Sequence, residues 1–285
     1  SSSIQAQASN SIMDAATGAF LSNTGLVVIG YALRKLGLLQ ESEGRAALRL
    51  ALNVTMPALV FRTFSSPPPG GYTGIPLLAV FAWMLGFGTC GVGAWIAYRK
   101  RKVPSERSLM TGMTTGVNLG MFAYPIIEGV FGLDGLRIVA FFDMPNMMVN
   151  FGYNRAVFEG LASGSRPTPM RLFAGVFRQL LLAPPMTAIW LGLIANSASL
   201  TMPGTLAIVL SDLASANKVL VMIGLGVLLQ LRFPAEELGT LAELVVFRAM
   251  LSLLAAAATL AAGMAVGAPL LVRAVCVMAL CCPIP

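Results

Sequence analysis

Apolar runs of about 20 residues recur along the whole chain, each roughly the length a helix needs to cross a 30 Å hydrocarbon core. They are expected at about 15–33, 46–64, 75–98, 108–131, 136–154, 172–195, 204–231, 240–263 and from 269 to the end, which makes eight or nine crossings. Composition agrees: charged residues are 11% of the chain and hydrophobic residues 56%. A soluble domain carries roughly 25% charged residues. The mean hydropathy is +0.79. The sequence therefore specifies an all-α polytopic membrane protein, with the lipid bilayer as its solvent. Segment 204–231 is long for one crossing and holds Asp212, Asn217 and Lys218 in its middle, so it is expected to be tilted or interrupted. Lys218 has two readings, pairing with a carboxylate or snorkelling toward a nearby helix end.

The net charge of +7 does not mark a nucleic-acid surface, because the basic residues alternate between connections. Arg34, Lys35, Arg45 and Arg49 flank the first connection, "RKRK" (Arg99 to Lys102) with Arg107 fills the third, and Arg155, Arg166 and Arg171 lie in the fifth. The second and fourth have only Arg62 and Arg137. By the positive-inside rule the odd connections are cytoplasmic and the N-terminus lies outside. Residues 1–18 read as a polar N-terminal tail without the basic flank and short apolar core of a secretory signal.

The chain has no histidine, and Cys90, Cys276, Cys281 and Cys282 lack metal-ligand spacing, so no metal or other cofactor is expected. A serine or cysteine nucleophile has no histidine base here, and Asp143 has no second intramembrane aspartate in a matching motif. The chain is read as a non-enzyme, with adjacent Cys281 and Cys282 as packing residues rather than a redox pair.

Against this apolar background "VNLGMFAYPIIEGVFG" (Val117 to Gly132) stands out. Pro125 has no N–H, and in a continuous helix its ring meets the carbonyl of Met121, so the helix is expected to break or kink just before it. Broken backbone at membrane depth must be buried in protein or line a polar cavity. A free half-helix N-terminus carries partial positive charge and suits an anion, and Asn118 adds a donor and an acceptor at the same level. The other reading is structural: Pro125 kinks a packed helix and Asn118 bonds across to a neighbour. On the next span Asp143, Asn146 and Asn150 share one helical face, with Pro145 beside them. Ionisable residues within a span are costly and usually functional, although Asp143 also fits a buried structural partner. Glu128 reads either as a proton carrier or as a residue near the membrane surface.

The polar interval "EGLASGSRPTPMR" (residues 159–171) splits the chain into halves, 19–158 and 172–285. In each half a span begins with Arg at the membrane edge and ends in Pro inside an apolar run: "RSLMTGMTTGVNLGMFAYP" and "RAVCVMALCCP". Repeats with an odd number of helices lie in opposite orientations, the plan of many secondary transporters.

These segments also carry a family likeness. "LRLALNVTMPALVF" (Leu48 to Phe61) is close to an "LNVTLPALIF"-like stretch, and "NLGMFAYP" matches an "NxGxxGxP"-like pattern through Asn118, Gly120 and Pro125, with Ala123 in place of the second glycine. "FGLDGLRIVAFFDMPNMMVNFG", "GYALRKLGLL" and "MIGLGVLL" fit the fifth, first and seventh helices. From about Ala19 onward the sequence resembles the auxin efflux carrier family, the PIN-like carriers that include malonate and malate permease relatives. The resemblance implies two inverted five-helix repeats whose fourth and ninth helices break and cross. Helices one, two, six and seven would form a scaffold, often a dimerising one, and the others a mobile transport domain moving as an elevator. The substrate, a small organic anion, would bind at the crossing through Asn118, Gly120, Pro125, Asp143, Asn146 and Pro283, with a proton or sodium as possible coupling ion. Pro283 stands where the second crossover proline belongs, so the second repeat is expected to be truncated. That motivates a second reading, a non-transporting membrane subunit that packs against partner proteins.

Overall fold

The computed structural model of the chain describes residues 2–66, 71–100, 103–150, 170, 177–178, 181–200, 202–230 and 235–282, and among them there is no strand. Its helices are α1 (Ser2–Lys35), α2 (Glu41–Leu50), α3 (Met56–Ser65), α4 (Ile75–Tyr98), α5 (Pro104–Thr115), α6 (Tyr124–Met147), α7 (Pro184–Ser197), α8 (Gly204–Leu228), α9 (Ala235–Ala265) and α10 (Leu270–Leu280). Ala16–Lys35, Ile75–Tyr98, Gly204–Leu228 and Leu238–Ala265 are each long and apolar enough to cross a membrane. The protein is an all-α polytopic membrane protein.

Helix boundaries follow local chemistry. At the head of α2 the Gln40 N–H donates to Glu43 Oε2 at 2.7 Å, covering one of the N–H groups that a helix start leaves unpaired. A π turn, Ala51–Thr55, joins α2 to α3. Its cause is Pro57, which has no N–H to return to Asn53 and whose ring would press on that carbonyl; a widened turn relieves both. Gly74, at φ 74°, opens α4 in a conformation that favours glycine. Helix α1 takes in the N-terminal segment from Ser2, where no Gly or Pro before Asp14 would stop a helix. The polar residues in 204–231 do not interrupt α8: the buried Asn217 Oδ1 accepts from Thr55 Oγ1 at 2.9 Å, and Lys218 Nζ donates to Ser22 Oγ at 3.0 Å.

The chain forms two compact units. The first comprises Ser1–Pro69, Gly120–Arg137 and Pro184–Leu231. In it α1 and α8 run parallel: Ser22 meets Lys218, Gly30 meets Ile223 and Gly226, and Arg34 donates to the carbonyls of Val227 and Leu229 at 3.0 and 3.3 Å. The backbones touch because glycines face each other; a Cβ on Gly226 would stand 2.1 Å from the Val27 carbonyl oxygen. Leu48, Ala51, Val221 and Met222 form the core between α2 and α8, and Met121 packs on it. At the far end of α3, Arg137 donates Nε to Thr63 O at 3.0 Å and Nη2 to Ser66 O at 2.9 Å, with Asp134 holding its Nη1. A cation there complements the negative end of the helix dipole.

The second unit comprises Gly70–Leu119, Ile138–Ala183 and Arg232–Pro285. Helix α4 is its centre, packing on α5, α9 and α10. Ala94, Tyr98, Met110 and Leu244 form a core there, and Tyr98 meets Phe247 edge-on with ring centroids 5.7 Å apart. Gly86 and Gly93 admit Leu280 and Leu251, whose atoms lie 2.1 and 2.5 Å from where a Cβ would sit.

Candidate functional site

The fourth apolar run opens inside the second unit. Helix α5 ends when Gly116 turns extended, at φ −76° and ψ 160°, after donating its N–H to Gly112 O at 3.1 Å. Thr114 Oγ1 donates to Met110 O at 2.7 Å and Thr115 Oγ1 to Thr111 O at 3.1 Å, so hydroxyls bond to carbonyls of the last turns. Residues 116–118 carry no regular structure, and the π turn Leu119–Ala123 leads into α6. Backbone opened in this way needs partners.

The second arm of α6 provides them. Asn146 Oδ1 accepts the Val117 N–H at 3.3 Å and Asn146 Nδ2 donates to the Val117 carbonyl at 2.9 Å, so one side-chain amide answers both polar groups of one residue. Asn150 Nδ2 donates to the same carbonyl at 3.1 Å. Asp143 Oδ1 accepts from Asn146 Nδ2 at 2.8 Å, which fixes which way the amide faces. Asp143 and Asn146 are 3% and 2% exposed. This is a buried polar cluster, and the Oδ1 of Asn150 is buried in it without a partner among the described residues.

The six residues singled out from sequence have separate fates. Asp143, Asn146 and the neighbouring Asn118 come together at the opening. Asn118 is half-buried and makes no hydrogen bond among the described residues. Gly120 belongs to the first unit, where a Cβ would lie 3.1 Å from the Met56 Cε. Pro125 is buried in the first turn of α6, a place where the missing N–H costs little. The full opening lies at Gly116–Asn118, and only a widened turn directly precedes Pro125. Pro283 lies outside the described residues, as does the 159–171 interval apart from Met170.

Gly132, at φ 61° and ψ −153°, separates the two arms of α6 in a conformation that favours glycine. Pro145 stays inside the second arm. All four cysteines are free thiols, and no group of three or more metal-ligating side chains occurs among the described residues.

One functional candidate escaped the sequence reading: Arg248, a lone arginine within the apolar "VVFRAML" of α9, 3% exposed in the second unit. Its Nη1 donates to Cys90 Sγ at 2.7 Å. The signal was present in the sequence, since a single basic residue deep in an apolar run is unexpected unless something meets it.

No family model matches the sequence. The chain is similar to an uncharacterized transporter of Methanothermobacter thermautotrophicus, with 30% identity over 220 residues that span 76% of this chain and 69% of the relative.

Proposed function

Because this chain belongs to the same family as the Methanothermobacter transporter, we propose that it is a secondary carrier moving a small organic anion across a membrane by an elevator-type movement of the second unit. The observation that carries this reading is the opened backbone at Gly116–Asn118, clamped by Asn146 and Asn150 and followed by a helical segment whose first N–H groups have no partners within the helix. Such an arrangement holds irregular backbone at membrane depth while presenting N–H groups and the Asn118 amide to a solute. The grouping of the helices supports the movement. Helices α1, α2, α3, α7 and α8 and the first arm of α6 fall in the first unit, and α4, α5, α9 and α10 in the second; apart from that arm, the grouping is compatible with the scaffold and transport domain that the resemblance to auxin efflux carriers implies. In this reading Asn118, Asp143 and Asn146 form the binding site, and Gly120 and Pro125 shape the turn beside it.

The test is uptake of labelled mono- and dicarboxylates by proteoliposomes holding the purified protein. Uptake that Asn118→Ala or Asn146→Ala lowers by at least about tenfold, as loss of a hydrogen bond to a charged group would, supports the reading. Uptake unchanged by replacing both Asn118 and Asp143 would overturn the site. Repeating the assay with a protonophore, and again without sodium, assigns the coupling ion.

A further inference from the structure

Arg248 stands about 15 Å from one end of the apolar stretch Leu238–Ala265 and about 25 Å from the other, at 1.5 Å per helical residue. A guanidinium at that depth is expensive to hold and needs partners for its charge and its five N–H groups. Cys90 supplies one bond, to Nη1, and a thiol is a weak acceptor without charge. The Nε and Nη2 atoms are buried and have no hydrogen-bond partner among the described residues. None of the ion pairs among the described residues includes Arg248.

The two unused nitrogens are not an arbitrary pair. Nε and Nη2 form the side edge of the guanidinium, where two parallel N–H groups match the two oxygens of a carboxylate. Arg248 belongs to the same unit as the opened segment's supports, Asp143, Asn146 and Asn150. Asp143 is the residue that holds Asn146 in its clamp on Val117.

We propose that Arg248 is an anion-binding side chain whose free Nε and Nη2 edge takes a carboxylate of the transported solute through two parallel N–H···O bonds. The inference rests on the reading of the protein as an organic-anion carrier and gives that solute one required group. The solute then completes the hydrogen bonding of a buried guanidinium, and this has a consequence for stability that a merely structural arginine lacks.

The experiment is thermal unfolding of the full chain in detergent, for wild type, Arg248→Met and Arg248→Lys, in the presence of acetate, malonate or succinate. The matched amides, inorganic phosphate, sulfate and sodium chloride at equal ionic strength serve as controls. The expected result is that at least one carboxylate raises the wild-type Tm while its amide and chloride do not. Arg248→Met raises the Tm of the empty protein and loses the carboxylate response, its affinity falling at least about thirtyfold. Arg248→Lys keeps a reduced response, because an ammonium offers charge without the planar fork. Three results would overturn the proposal: no carboxylate shifts the wild type, phosphate or sulfate alone shifts it, or Arg248→Met keeps the wild-type response. If Arg248→Met does not fold, a Lys variant that responds as fully as wild type also overturns it. Proteoliposome uptake separates the two readings. Carboxylate transport with unchanged KM in Arg248→Met sinks the role of Arg248 and leaves the carrier standing. A wild type that binds carboxylates at Arg248 but moves none sinks the carrier alone.

Discussion

Asn146 does at one residue what a neighbouring strand does in a sheet, offering an acceptor and a donor to the same stretch of backbone. The two asparagines are not equivalent, because the Val117 carbonyl has Asn150 as a second partner and the Val117 N–H depends on Asn146 alone among the described residues. Replacing Asn146 by Leu therefore strands a buried N–H, at a cost of about 1–3 kcal/mol, whereas Asn150→Leu removes one of two donors to a carbonyl and costs about 0.5–1.5 kcal/mol. Thermal unfolding in detergent reads the order; equal losses, or a larger loss for Asn150→Leu, would mean that this clamp is not what holds the opening. The spacing of Asp143, Asn146 and Asn150 on one face was legible in the sequence. Their partner was not, because a sequence records side chains and their period but not which backbone groups, here 29 residues earlier, a tertiary fold leaves uncovered.

At the scale of elements, the parallel crossing of α1 and α8 in the first unit depends on missing side chains. A methyl on Gly226 would meet backbone, the Val27 carbonyl at 2.1 Å, and a methyl on Gly30 would stand 2.3 Å from the Ile223 carbonyl. Backbone cannot rotate away as a side chain can. Gly226→Ala and Gly30→Ala should each destabilise by at least about 2 kcal/mol, the cost of overpacking when two helices must separate. Gly88→Ala in α4 is the control: nothing lies within 4 Å of its Cβ position, and alanine favours a helix over glycine by up to about 1 kcal/mol. Its Tm should hold or rise, and a fall as large as that of Gly226→Ala would remove the steric explanation. The helical class and the four long apolar helices were readable from the apolar runs. The π turn at Ala51–Thr55 was not, since Pro57 hints at a disturbed turn without saying how it is resolved. Of the two expectations for 204–231, tilt or interruption, the interruption does not occur, for a related reason. Asn217 and Lys218 look like breaks only while Thr55 and Ser22, far away in sequence, are not known to face them.

For the whole molecule the governing fact is an apolar exterior. Leu77, Leu253 and Trp95 are 74%, 66% and 59% exposed on α4 and α9, and a continuous apolar surface of this kind belongs in lipid. The apolar runs made this legible, and the loop charges add an orientation. They did not give the grouping of helices, because the sequence halves 19–158 and 172–285 each contribute to both units, and membership in a unit is decided by contacts between distant segments. Orientation can be tested independently of any transport assay. Leu38, in the connection after α1, and Thr73, in the connection before α4, are separated in the chain by α2, its π turn and α3. Arg34, Lys35, Arg45 and Arg49 flank the first of these connections, and Arg62 is the basic residue near the second. The charge rule therefore places Leu38 in the cytoplasm and Thr73 outside. With Cys281 and Cys282 changed to serine, a membrane-impermeant maleimide applied to intact cells should label Thr73→Cys and spare Leu38→Cys until the cells are opened. The reverse pattern would turn the molecule over and put the N-terminus inside. Labelling of both sites in intact cells would mean that α2 and α3 together do not cross, and the Leu48 to Phe61 segment would then lose its place as the second span.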